Sequence, residues 1–310
     1  MRNFTLHWSI ARILGLFALA FMSAGSLALE YGSGIENTEW KLSGSIFECR
    51  FEQRLPNYGN GVFYHQAGED IVFQLETRKN LMKEGKAGVS ITPAPWHPNK
   101  KSEHLGYTDL IEDLPNLELD PERSNQFLHA LLEGKQPVIT RRTYYDESKF
   151  IKIHLSAIHF KDFYIKYLKC VDQLLPMNFS QVARNKIYFG GGKEGLSPKD
   201  EELLDRIIFY MNNDPRVFAL YIDGHSDNRG RRYDNRQLSK RRAEAVERYF
   251  IKKGINPDMV TLRFHGQRYP ISSNNTASGR AKNRRVTVRL EQREDMAIPP
   301  ELEFVLPDES

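Results

Sequence analysis

Asp227 lies in the run Gly224-His225-Ser226-Asp227-Asn228-Arg229-Gly230, and Arg242 in the later run Asn235-x-x-Leu238-Ser239-x-x-Arg242-Ala243. The first run follows an apolar stretch that reads as a buried strand, and the second reads as helix. A carboxylate at a strand end, facing a guanidinium one turn beyond Leu238, places opposite charges around a small gap. Such a gap suits a zwitterion, with its ammonium drawn to Asp227 and its carboxylate gripped by the forked donors of Arg242. The same spacing equally allows an ordinary ion pair that closes a loop.

Other chemistries find less support. Asp223, His225 and Ser226 are triad residue types, but strand neighbours alternate faces and form no relay. The nine histidines show no His-Glu-x-x-His pattern, neither cysteine has a second ligand at zinc-like spacing, and no metal or cofactor is expected. A wall-cleaving glycosidase needs two placed carboxylates, which the sequence does not mark. Gly190-Gly191-Gly192-Lys193 lacks the spacing of a phosphate loop and reads as a flexible turn. The chain is therefore expected to be non-catalytic.

Between Asp223 and Arg242, seven Arg or Lys stand against three Asp, and Arg280, Lys282, Arg284, Arg285 and Arg289 form a second basic cluster. The 310-residue chain carries a net charge of only +4, too mild for a dedicated nucleic-acid binder. Interleaved Asp and Asn favour a ligand site over a smooth charged face.

The elements that must hold these residues alternate strand and helix. A strand over Val182–Phe189 precedes a helix capped by Ser197, with a stripe of Leu203, Leu204, Ile207, Ile208 and Met211. Val217–Ile222 is a strand. Asp234, with Gln237 three residues on, opens a second helix that Gly254 ends. Met259–Phe264 and Arg285–Leu290 complete a βαβαββ α+β domain with a mixed sheet. The acidic, proline-containing residues beyond Glu291 read as a flexible tail.

The preceding half has another grammar. Trp40 and Leu42, then Phe47, Cys49 and Phe51, then Ile71, Phe73 and Leu75, alternate with polar neighbours, as strands do. Turn signals lie at Pro56–Gly61, Ala67-Gly68 and Pro93–Pro98. Ser124–Glu133 reads as a helix, Ile151, Ile153 and Leu155 as a strand, and Phe163 to Leu175 as a second helix before Pro176. The aromatic stripe of Phe163, Tyr164 and Tyr167 reads as core. Mostly antiparallel β with one or two helices follows.

At the N-terminus, Arg2 and Arg12 precede a ten-residue apolar run, Ile13–Met22, and the small residues Ser26 and Ala28. That is the grammar of a cleaved export signal, too short to span a membrane, with Leu29 as the first mature residue. Export removes nucleic acid as a partner and places the chain in an oxidising compartment. There Cys49 and Cys170 read as a disulfide, the alternative being two separately buried thiols. The expected divisions are 1–28, signal; 29–176, first domain; 177–293, second domain; and 294–310, tail.

The blocks Gly224-His225-Ser226-Asp227-x-x-Gly230, Asn235-x-x-Leu238-Ser239-x-x-Arg242-Ala243 and Gly279-Arg280-Ala281-Lys282-Asn283-Arg284-Arg285-Val286 resemble the OmpA-like peptidoglycan-binding domain. That resemblance implies that Asp227 and Arg242 hold the diaminopimelate of the wall's stem peptide. Gly224, Ser226, Asn235, Asn283 and Arg284 would complete the site. Phe264-His265-Gly266 and Tyr188-Phe189-Gly190 depart from the family pattern at the rim. Leu55-Pro56-x-Tyr58-Gly59-x-Gly61-Val62-Phe63, the Ile91–Pro98 stretch and the two cysteine positions resemble the N-terminal domain of the MotY family of flagellar motor proteins. This implies a periplasmic T-ring component beside the cell wall and outer membrane, contacting MotX and the basal body. Such a component helps to hold a PomA/PomB- or MotA/MotB-like stator complex. A general OmpA-like periplasmic tether unrelated to flagella is the other reading within the same class.

Overall fold

The computed structural model describes residues 28–77, 81–94, 101–113, 115–293 and 295–304. The expected signal sequence up to residue 27, the turn at Pro95–Pro98 and the last six residues lie outside the described residues.

Alternation of apolar and polar residues builds one ten-stranded sheet in the first half. Its strands are β1 (Ala28–Tyr31), β2 (Trp40–Gly44), β3 (Glu48–Leu55), β4 (Gly59–Gln66), β5 (Val72–Glu76), β6 (Gly85–Thr92), β7 (Glu103–Leu110), β8 (Leu117–Leu119), β9 (Gln136–Arg142) and β10 (Phe150–His154). Their order is β1-β10-β9-β6-β7-β8-β5-β4-β3-β2, and every pair except β1–β10 is antiparallel. The expected antiparallel domain is therefore present. β1 begins at Ala28, the residue expected to precede cleavage.

The helices α1 (Pro121–Leu132) and α2 (Phe160–Val171) start a few residues before the expected positions. Asp120 caps α1 by accepting from the Arg123 amide, so the helix starts at Pro121 rather than Ser124. Trp40 packs 4.7 Å from Phe51 and 5.0 Å from Phe160, and Phe51 stacks on Tyr167 at 5.5 Å. Tyr167 is buried, and Phe163 and Tyr164 pack against the same core, so the stripe is interior. Cys49 on β3 and Cys170 on α2 form a disulfide with a Cα–Cα distance of 6.1 Å. Fully buried Gln53 donates to the Ser156 carbonyl and accepts from the Ser156 amide, both at 2.8 Å, so the sheet curls until its two ends meet.

The second half has a four-stranded mixed sheet, ordered β11 (Arg184–Tyr188), β14 (Arg285–Gln292), β12 (Val217–Gly224) and β13 (Val260–Phe264). β12 runs parallel to β13 and antiparallel to β14. Helix α4 (Pro198–Asn213) has the Ser197–Asp200 capping box, and its buried residues include Leu204, Ile207, Ile208 and Met211. α5 (Arg232–Lys252) starts earlier than expected and has no side-chain cap: Arg231 is its N-cap, and Asp234 instead accepts from the Arg231 side chain at 3.0 Å. Two short helices went unread. α3 (Phe179–Val182) ends at Val182, where the expected strand begins, and α6 (Ala277–Asn283) precedes β14. Both are shorter than the window in which helical periodicity shows.

The two halves share a core. Phe47, Ala67, Leu175 and Met177 pack with Val182, Ile207, Tyr210 and Met211. The Arg216 guanidinium lies 4.4 Å from the Phe47 ring centroid and is held there by the buried Asp214 at 2.9 Å. The tail expected to be flexible returns to the first half: the Ile46 amide donates to Leu302 O, the Phe304 amide donates to Gly44 O, and Ser45 bridges Glu303. Ile298, Leu302 and Phe304 pack against the cores, an apolar signal outweighed in the sequence by the surrounding acids and prolines. Among the described residues no helix is long and apolar enough to cross a membrane.

Candidate functional site

β12 delivers the loop that carries Asp227. At Gly224 a Cβ would lie 2.2 Å from the Ser239 carbonyl, so α5 rests on the bare strand end, and a side chain there would lift the helix. The loop is fixed by its backbone: the His225 amide donates to Arg285 O at 2.8 Å, the Ser226 amide to Gly266 O at 2.9 Å, and the His265 amide to Gly224 O at 2.9 Å.

Asp227 is buried. Its Oδ1 accepts from the Arg229 amide at 3.1 Å and its Oδ2 from Arg284 Nη1 at 3.0 Å. Arg284 Nε also donates to Phe189 O at 3.0 Å. The partner of Asp227 is therefore Arg284, and no hydrogen bond or ion pair joins Asp227 to Arg242 among the described residues. Arg242 is wholly buried: Nε donates to Lys193 O and Nη2 to Gly190 O, both at 2.8 Å, and its guanidinium lies 5.1 Å from the Phe189 ring. Its Nη1 is buried without a partner. Burial, with repulsion from Arg284, lowers its pKa to about 10 against the opposing pull of Asp227 and Glu194, and it stays cationic at neutral pH.

A loop-closing ion pair between the two is thus absent. What remains is a carboxylate held by one cation and a second cation with one unsatisfied donor, and a buried donor without an acceptor costs free energy.

The other expected residues sort differently. Asn235 is buried and donates to Gln267 Oε1 at 2.9 Å. Asn283 accepts from the Ile271 and Ser272 amides and donates to Ser272 O and Asn274 Oδ1, which exhausts its amide. These bonds order the loop before α6. Gly224 acts through packing, and the Ser226 hydroxyl donates to Asp227 O at 3.0 Å. Phe189, expected at the rim, lies with its ring beside Arg242, whereas unread in the sequence were the carbonyls of Gly190 and Lys193, which make the glycine turn a cradle for Arg242. The lone signal for them was the Gly190–Lys193 run itself. On the other face of the sheet, Asp223 bonds His265 Nε2 at 3.0 Å, and His225 stacks on His265 at 5.0 Å.

Residues 188–284 match the OmpA family. The peptidoglycan-associated lipoprotein of Pseudomonas putida is 38% identical over 119 residues, which cover 38% of this chain and 70% of that protein. The chain belongs to the OmpA family. Residues 31–176 match the MotY N-terminal domain. The sodium-type flagellar protein MotY of Vibrio parahaemolyticus is 23% identical over 278 residues, covering 88% of this chain and 94% of that one. The crystal structure of the Burkholderia pseudomallei peptidoglycan-associated lipoprotein aligns with a TM-score of 0.33 and 24% identity over 34% of this chain and 89% of that one.

Proposed function

We propose that this protein is a non-catalytic flagellar motor component of the cell envelope that grips peptidoglycan through its second domain. The ligand is the diaminopimelate of the stem peptide, which carries an amine and a carboxylate on one carbon. Asp227 takes the amine and Arg242 the carboxylate, while Arg284 orients Asp227 and Asn235 braces the rim. The observation that carries this reading is the unpartnered, buried Nη1 of Arg242 in the same site as a carboxylate already held by another group.

The match along most of the chain to a flagellar MotY supports the first domain as the motor-facing adaptor. In this reading the protein sits in the periplasm at the basal body, in the T ring, next to the cell wall and outer membrane. It meets MotX through its first domain and steadies the stator units, a PomA/PomB- or MotA/MotB-like complex. Reaction torque on a stator needs a fixed anchor, and a wall tether supplies one.

Asp227→Asn tests the site with little change of shape. Retention of the mature chain on purified sacculi, and calorimetric binding of meso-diaminopimelate, are expected to fall at least tenfold with an unchanged circular dichroism spectrum. Retention equal to wild type refutes the assignment. Arg242→Ala is a poorer test, because it also strips the Gly190 and Lys193 carbonyls of their donors.

A further inference from the structure

The first turns of α5 face the loop after β13 across a cavity of about 140 Å³, lined by Arg232, Arg236, Phe264, His265, Gly266, Gln267 and Arg268, with His265 held by Asp223. It exists because Gly266 adopts φ +57° and lies against the helix: a Cβ there would sit 3.2 Å from Arg236 Cα. The Arg236 guanidinium lies 5.2 Å from the Phe264 ring. The side chains of Arg232, Arg236 and Arg268 have no hydrogen-bond or ion-pair partner among the described residues, although Arg231 and Lys240 on the same helix are paired with Asp234 and Glu244. Three like charges around one concavity repel each other, and an anion among them turns that repulsion into attraction. The volume holds a group the size of a few water molecules, each about 30 Å³ in the liquid, which fits a carboxylate.

The cavity is joined to the wall site. Gln267 accepts from Asn235, and Gly266 O accepts from the Ser226 amide beside Asp227. We infer that Arg232, Arg236 and Arg268 form a second subsite that takes another carboxylate of the same stem peptide. This rests on the reading of Asp227 and Arg242 above. In a stem peptide the residue before diaminopimelate is linked through its side-chain carboxyl, which leaves its α-carboxylate free, so adjacent subsites match adjacent residues.

The double variant Arg232→Gln with Arg268→Gln removes two exposed cations and leaves the stacked Arg236 in place. Calorimetry on the mature chain compares meso-diaminopimelate, the tripeptide L-Ala-γ-D-Glu-meso-diaminopimelate and inorganic phosphate. The variant is expected to bind diaminopimelate as wild type does, to bind the tripeptide about tenfold more weakly, and to lose part of the salt dependence of tripeptide binding. Unchanged tripeptide affinity overturns the subsite, as does an equal loss for both wall ligands. A variant that loses phosphate binding while keeping full tripeptide affinity assigns the cavity to phosphate and overturns the carboxylate. A wild-type chain that binds neither wall ligand overturns the Asp227–Arg242 reading, and this inference with it.

Discussion

Arg284 Nη1 lies 3.0 Å from Asp227 Oδ2, and the same guanidinium donates through Nε to the Phe189 carbonyl. One side chain thus clamps the end of β11 to the loop after β12 and orients the Asp227 carboxylate. It is also a like charge near Arg242 and helps to lower that residue's pKa to about 10.

Replacing Arg284 with Gln leaves Asp227 largely buried with a single backbone donor. The second domain is expected to lose about 1–3 kcal/mol, the cost of stripping a partner from a mostly buried charged group. Diaminopimelate affinity is expected to fall as well, because the carboxylate is no longer fixed. Urea melts and calorimetry on one preparation check both, and unchanged values for both contradict the clamp.

Cys49 and Cys170 enclose a sequence separation of 121 residues, and both are fully buried. Chain-entropy arguments give a cross-link of that span about 4–5 kcal/mol. The double variant Cys49→Ala with Cys170→Ala is expected to melt well below wild type, and reducing agent is expected to lower the wild-type midpoint in the same direction. Alkylation of both thiols in the native, unreduced protein would show that the bridge is absent.

Phe47 belongs to the first domain by sequence and to the second domain's core by packing, with Arg216 on its face and Tyr210 6.2 Å away. Phe47→Ala is expected to cost about 3 kcal/mol. A single calorimetric unfolding transition is expected to become two as the domains uncouple. A variant that still melts in one step at the wild-type midpoint speaks against a shared core.

His225 is buried against Arg285 and His265, with Asp223 the opposing negative charge nearby. Burial first, then the Arg285 charge, lowers its pKa to about 4. The unfolded chain, with an ordinary value near 6.5, binds this proton first, so its contribution to stability is intact above pH 6.5. It is lost as pH falls toward 4, at up to about 1.4 kcal/mol per unit. Stability profiles of wild type and His225→Asn should therefore diverge below pH 6.5, with the variant flatter. Parallel profiles between pH 7 and 4 would refute the shift.

Long periodic elements were legible in the sequence. The α4 stripe, its Ser197 cap and the strands around Phe51 and Phe73 declare themselves through spacing that tertiary contacts then exploit. β9 was not, since Pro137 interrupts its pattern, and β1 was hidden beside the run that reads as an export signal. At the site, the residue types pointed to Asp227 and Arg242, but not to who holds whom. The family blocks pointed to Arg284, but its pairing with Asp227 was not legible, because pairing depends on where β11 and β14 bring the chain. Backbone acceptors such as Gly190 O carry no side-chain signature at all.

Among the described residues the chain crosses between its halves twice, once through Leu175–Val182 and again where Leu302 and Phe304 return to Gly44 and Ile46. A pull applied to one half while the other is pinned is thus shared by two straps in parallel. Neither can stretch without shearing the strap beside it or opening the aromatic seam at Phe47. Such a bracket passes a sideways shove on as displacement of the whole body rather than as a bend in the middle.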